Sequence, residues 1–313
     1  MPTGSIHCML LPPVASAVLE CVPNVKEGCD RAVIERLADA IAAVPGVTLM
    51  NVHADADHHR SVFSFLGAPA RVATASLALA AAAFELIDMR RHHGVHPRVG
   101  ALDVLPFVPL AGITMPETVA LARRVGAALA SRHTLPVYYY GDAATRPERR
   151  TPRQLRRGQY EGLAERLRSV DGAPDAGPSR FDARSGALLV GARDVLVAFN
   201  VWLASADVAV AREIARAVRE SSGGLPAVQA MGVLLERRGS AQVSMNLLDY
   251  RKTSIPAVFD RVSDEARRRS VDVSRSELVG VAPRAAFAGR TPPSVGLTGF
   301  TPDLYLDTYV TWS

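Results

Sequence analysis

Lysine is almost missing from this chain. Lys26 and Lys252 are its only two, so arginine carries nearly all of the positive charge behind a net +5 and a pI near 9.4. A basic balance favours anionic ligands, and nucleic acid is the first to consider. The arginines are scattered, however, apart from Arg146, Arg149, Arg150, Arg153, Arg156 and Arg157, and no helix-turn-helix, RNP or zinc-finger spacing accompanies that cluster. Nucleic acid is therefore not an expected partner. The cluster reads as a solvated helix start or as the rim of a carboxylate-binding site. Cysteine is scarce too: Cys8, Cys21 and Cys29 crowd toward the N-terminus and cannot frame the chain with disulfides, as suits a reducing compartment. Long apolar runs are also absent. Val72–Ile87 is short for a membrane span and contains Glu85, and Met9–Val18 lacks a cationic start because no Lys or Arg precedes Lys26. A cytoplasmic protein without a membrane partner is expected. No Walker loop, G-x-G-x-x-G or G-x-S-x-G occurs, which removes the commonest nucleotide-binding and serine-hydrolase readings.

What is present is enough apolar sequence for two cores, 48% of 313 residues. Periodicity predicts strands near 17–22, 48–53, 61–66 and 104–109, with helices near 31–44 and 70–90 between them. Strands near 195–201, 228–235, 242–250 and 278–282, with helices near 207–220 and 256–269, repeat that β-α-β-β-α-β order. The expectation is an α+β fold of two ferredoxin-like subdomains, residues 1–190 and 191–313, with a ligand tunnel or cleft between them. Residues 138–186 carry a helix signal at 152–169 and then a stretch, Asp171 to Ser179, too rich in Gly and Pro for a regular element. They read either as a linker or as lining of that cleft.

Chemistry concentrates in Arg91-His92-His93-Gly94-Val95-His96-Pro97-Arg98-Val99-Gly100-Ala101-Leu102-Asp103, where Gly94, Pro97 and Gly100 oppose a helix. An imidazole held extended between guanidinium groups suits proton transfer near neutral pH on an anionic substrate. Six of the eight histidines lie between His53 and His96, with Asp55 and Asp57 among them, so a metal site is the rival reading. His92 and His96 stand i, i+4, but no helix aligns them and no Glu follows His92, so no metal is expected.

The segments Leu19–Asn24, Asp57–Val62, Ile87–Asp103 with its H-P-R-x-G-A-x-D core, Tyr140–Ala144, Gly177–Ser179, Gly191–Arg193 with Ala198–Asn200, and Gln242–Leu247 occur in an order that resembles the glutamate formimidoyltransferase domain. The same domain forms the transferase half of the bifunctional formiminotransferase-cyclodeaminases. The resemblance implies a two-subdomain α/β fold, a homodimer, and a positively charged tunnel that holds tetrahydrofolate as co-substrate. It implies transfer of a formimidoyl group between formiminoglutamate and N5 of the folate, with His96 as the catalytic histidine. It also implies a folate loop at Gly177–Gly186, here containing Gly177, Pro178, Ser179, Arg180, Phe181 and Gly186.

Residue types support that chemistry independently. Moving an amidine carbon from one amine to another passes through a tetrahedral adduct, so one nitrogen loses a proton while the other gains one, and one imidazole serves both steps. Arg60 or Arg98 can hold a carboxylate, and Glu20, Asn24 or Asn246 can bond the amidinium or the pterin edge; His59 and Asp103 complete the candidate substrate-binding set. Members of the resembled family commonly carry Glu in place of Val95 and Asn in place of His59. Two alternatives follow: transfer from 5-formimidoyltetrahydrofolate to a non-glutamate amine, such as a glycyl-type amine of a specialised metabolite, and a non-catalytic folate-binding protein.

Overall fold

The computed structural model describes residues 17–311; Cys8 and most of the Met9–Val18 stretch lie outside the described residues. The first sheet starts with β1 (Val18–Cys21) and β2 (Asn24–Val25), two pieces of one line broken at Val22-Pro23, since proline cannot donate to a ladder. There follow α1 (Arg31–Ala42), β3 (Val47–Asp55), β4 (Arg60–Gly67), α2 (Pro69–Leu86) and β5 (Leu102–Ala111). β1 and β2 lie between β4 and β5, and β3 flanks β4, with every pairing antiparallel. The second sheet is built from β8 (Val197–Leu203), α6 (Val208–Val218), β9 (Val228–Leu235), β10 (Ser240–Leu247), α7 (Ile255–Arg267) and β11 (Val273–Val279), in the order β11-β8-β10-β9. The fold is thus mixed α+β with two sheets.

Between these sets lie α3 (Met115–His133), β6 (Val137–Gly141), the single turns α4 (Pro152–Leu155) and α5 (Leu163–Arg166), and β7 (Leu188–Ala192). The periodicity reading had no element at 115–133 and treated 138–186 as linker or lining. The structure instead adds β7 and β6 as parallel strands beyond β5. A local signal for α3 was available: Thr114 and Glu117 form a capping box, with proline in the first turn. The single helix expected over 152–169 is broken because Gly158 (φ +75°) and Gln159 (φ +52°) adopt the left-handed region.

Period-two alternation decides which face of each sheet is dry. Leu19, Cys21, Phe63, Phe65, Leu105 and Phe107 face the core beneath α1, α2 and α3. α2 is long and apolar enough to cross a membrane by length and composition, but it buries Val72, Ala75, Leu79 and Ala83 in that core. In the second sheet Val197, Phe199, Val201, Val243 and Met245 join α6 and α7 in their own core. That leaves Arg60 and Ser64 on one helix-free face and Asn200, Gln242 and Glu277 on the other. These two faces meet: His58 Nε2 lies 3.1 Å from Gln242 Oε1, and His53 Nε2 lies 3.7 Å from Glu277 Oε1. At the rim the β3–β4 turn is tied to the β9–β10 turn, where Arg238 pairs with Asp55 at 2.8 Å and the Arg237 N–H donates to Asp57 at 2.8 Å.

Candidate active site

The ten residues leading into β5 form the floor of the site. Asp88 caps the short turn Met89–Arg91 by accepting from Arg90 N–H, after which the chain is extended. Gly94 lies against the β3–β4 turn, where an added Cβ would stand 2.7 Å from the His58 carbonyl, and Gly100 lies against β7, where one would stand 2.1 Å from the Ala187 carbonyl. Only glycine permits both approaches. The loop is then fastened: His92 Nε2 donates to the His59 carbonyl at 2.8 Å, and the Val95 N–H donates to the Asp57 carbonyl at 3.4 Å.

His96 sits partly exposed on this floor, with Nδ1 2.9 Å from Lys26 Nζ. Lys26 follows β2, its N–H donates to the Ala101 carbonyl at 2.8 Å, and it is buried. Its Nζ also reaches the Pro97 carbonyl at 3.4 Å and Asp103 Oδ2 at 3.7 Å. Asp103 is buried too; it accepts from the Val99 N–H at 2.7 Å and pairs with Arg156. Burial, then the charges of Lys26, Arg60 and Arg156, hold the His96 pKa well below the ordinary histidine value. The imidazole is therefore neutral at pH 7, the form a base requires.

Arg60 Nε, Arg156 Nε and His58 Nδ1 are buried without a protein partner among the described residues. All three groups act electrostatically on His96. Burial, together with Arg156, pushes the Arg60 guanidinium down to about 10, and burial with Arg60 pushes His58 down to about 4. An unpartnered buried guanidinium nitrogen is costly, and two that act on one imidazole describe donors held ready for ligand oxygens. Asn51 Oδ1 and Ser64 Oγ of the first sheet, and Trp202 Nε1 and Ser276 Oγ of the second, are likewise buried and unpartnered.

The family model of the formiminotransferase domain, N-terminal subdomain, matches residues 18–193, and that of the formiminotransferase domain matches residues 198–290. The chain belongs to the formiminotransferase family. Glutamate formimidoyltransferase of Streptococcus pyogenes serotype M1 is 43% identical over 270 residues, which cover 86% of this chain and 90% of that protein. Glutamate formimidoyltransferase of Thermoplasma acidophilum is 40% identical over 286 residues, 91% of this chain and 94% of that one. Formimidoyltransferase-cyclodeaminase of Sus scrofa is 44% identical over 278 residues, 87% of this chain but 51% of that protein, so the chain spans about half of that relative. As a formiminotransferase the chain is a one-carbon transferase.

Within this formiminotransferase the residues expected from sequence fall into three groups. His96 stands beside Lys26, and the charge of Arg60 reaches it. Arg98, His59 and Asp103 are close by but already engaged: Arg98 pairs with Glu161 at 2.6 Å, and His59 donates from Nδ1 to the His93 carbonyl at 2.6 Å while stacking on His92 at 4.2 Å. Glu20, Asn24 and Asn246 are spread over the sheets. Glu20 is buried in β1, where burial pushes its carboxyl up to about 7 against the pull of Arg193. Asn24 stands between Val62 and Val104, and Asn246 between Ala198 and Gln229. Of the loop residues, Gly186 is bridged to Gly100, and Phe181 packs on Tyr160 at 5.4 Å. Gly177, Ser179 and Arg180 are exposed, and Pro178 is half-buried, on the segment that follows the Val137–Ala176 bridge.

Sequence reasoning did not single out Lys26, His58 or Gln242, and it had Arg156 only as one of an arginine cluster that could rim a carboxylate site. The rarity of lysine was the one signal for Lys26. Glu27, Cys29 and His59 offer ligand atoms within 4.8 Å of one another, but Glu27 already accepts from the Cys29 and Asp30 N–H groups at 2.7 and 2.8 Å. Both bonds end on Oε1 of that carboxylate. Transfer activity is therefore expected to survive dialysis against a strong chelator; activity lost on dialysis and restored by stoichiometric zinc would establish a metal enzyme instead.

Proposed function

We propose that this chain transfers a formimidoyl group between a glutamate-type amine and N5 of tetrahydrofolate, with His96 moving the proton. The observation that carries this reading is a neutral imidazole set among buried, unpartnered guanidinium nitrogens. N5 attacks the formimidoyl carbon while the N5 proton passes to His96 Nε2, giving a tetrahedral adduct whose carbon bears three nitrogens. The C–N bond to the glutamate nitrogen then breaks as His96 returns the proton to that nitrogen. Arg60 holds a ligand carboxylate with charge-assisted bonds. The ligands occupy a cleft between two ferredoxin-like subdomains. The strand orders β5-β1-β4-β3 and β11-β8-β10-β9, and the contacts that join the two polar faces, support that placement. The folate lies along Gly177–Gly186, whose end is tied to the catalytic loop at Gly100. Glutamate is kept as the amine because the relatives at 43% and 40% identity are glutamate formimidoyltransferases.

Purified protein given formiminoglutamate and tetrahydrofolate should form 5-formimidoyltetrahydrofolate, followed by mass spectrometry, with kcat/KM of roughly 10⁴ M⁻¹s⁻¹ or more. Folinate should bind, as read by calorimetry. Folinate binding without turnover would leave a folate-binding protein, and turnover only with another amine would replace glutamate.

A further inference from the structure

This inference rests on the transfer reading above and assigns a role that the sequence did not reveal. We propose that Lys26 is a positioning residue that sets the tautomer of His96 and stores the proton His96 exchanges at Nε2, so that the histidine never stands as a free imidazolium.

The geometry is a tripod. Lys26 Nζ lies within hydrogen-bond distance of His96 Nδ1, at 2.9 Å, and of the Pro97 carbonyl, at 3.4 Å, and its counter-ion Asp103 Oδ2 stands 3.7 Å away. An ammonium has three N–H groups and no lone pair. In that state it donates to Nδ1, which leaves the imidazole proton on Nε2 and makes His96 an acid. A neutral amine instead accepts from Nδ1–H, which leaves a lone pair on Nε2 and makes His96 a base. The two states differ by one proton. As the N5–H bond breaks and Nε2–H forms, Nδ1–H breaks and a third Nζ–H forms; the second half-reaction reverses each change when the substrate nitrogen takes the Nε2 proton.

The surrounding charges decide where the proton rests. Arg60 from β4, Arg156 beside α4, Arg98 from the loop, and His58 from the β3–β4 turn all face the pair, and Asp103 is the anion against it. A charge left on the imidazole would add to this cationic group, whereas a charge on Nζ lies beside the Asp103 carboxylate. Burial and the neighbouring guanidinium groups also lower the Lys26 pKa, which brings a neutral amine within reach. Arginine cannot play this part because it does not deprotonate. A chain that uses arginine almost everywhere else has lysine here.

Nitrogen-15 NMR of the whole protein, without substrate, should show His96 Nδ1 as an unprotonated acceptor at low pH. As pH rises, the proton should appear on Nδ1 and leave Lys26 in the same step. A second arm uses Lys26→Arg, which keeps the charge and the donor but cannot store a proton. Its kcat should fall about 100-fold, with KM and folinate affinity within about threefold and the wild-type pH profile lost. A purely structural cation would be preserved by that change. One His96 tautomer throughout the titration, or Lys26→Arg within about fivefold of wild-type kcat on an unchanged pH profile, overturns the proposal. If the wild-type protein proves not to transfer to folate, the transfer reading fails while the NMR arm still judges Lys26.

Discussion

Replacing His96 with alanine should lower kcat by about 10²- to 10⁴-fold, the usual contribution of a positioned acid/base, while folinate affinity stays nearly constant. Three neighbouring histidines are tied by other bonds. His92 donates from Nε2 to the His59 carbonyl and accepts at Nδ1 from Arg98 at 3.3 Å; His59 is held between the His93 carbonyl and Glu27; His58 Nε2 is bonded to Gln242. His96 is tethered through Nδ1, and its Nε2 meets no protein partner among the described residues. Because its pKa is lowered, the neutral ring persists as pH falls through the ordinary histidine range, and kcat should hold level there. Stopped activity in His92→Ala with a near-normal His96→Ala would move the proton transfer to the wrong side of this argument.

The fold was readable where one periodicity dominated. Phe63 and Phe65 alternate with Val62 and Ser64 along β4, and Leu37 and Ile41 recur at helical spacing in α1, so the elements that repeat in each half follow from pattern alone. α3, β6 and β7 did not stand out, because β6 and β7 are buried runs such as Val137-Tyr-Tyr-Tyr whose period is hidden when both faces are covered. The break at Gly158-Gln159 is a backbone choice that a helix-forming composition conceals.

The site was legible in part for a similar reason. The segment His96-Pro97-Arg98 advertises itself by unusual residue types at close spacing. Lys26, His58 and Gln242 reach the site only because β2, the β3–β4 turn and β10 converge, and such convergence leaves no local mark. Arg98 shows the reverse: next to His96 in the chain, it also pairs with exposed Glu161 at 2.6 Å, a contact that chain proximity cannot reveal.

Asp103→Ala should be the most destabilising single change in the site. It strips the carboxylate from buried Lys26 and from Arg156 and leaves the Val99 N–H unpaired. Removing one partner of a buried ion pair costs about 3–5 kcal/mol, a large share of a typical stability of roughly 5–15 kcal/mol. The melting temperature should fall by roughly 6–20 °C, at about 2–4 °C per kcal/mol for a chain of this class. Burial by itself would raise the Asp103 pKa, but Arg156, Lys26 and the Val99 N–H outweigh it and hold the carboxyl below its ordinary value. A depressed carboxylate contributes its stability above the unfolded pKa and loses it as pH falls through the folded one. The gap between wild type and Asp103→Ala should therefore be full at neutral pH and narrow under acid; a gap that stays constant down through the carboxylate range would show that packing, not charge, was lost. Replacing both members of the Lys26–Asp103 pair, as Asp103→Leu with Lys26→Met, should recover only part of the stability: apolar substitutes for a buried pair are often neutral or better, but Arg156 and the Val99 N–H stay unpaired. The double variant should nevertheless remain as slow as Lys26→Arg, because what the buried pair supplies here is a place for the proton.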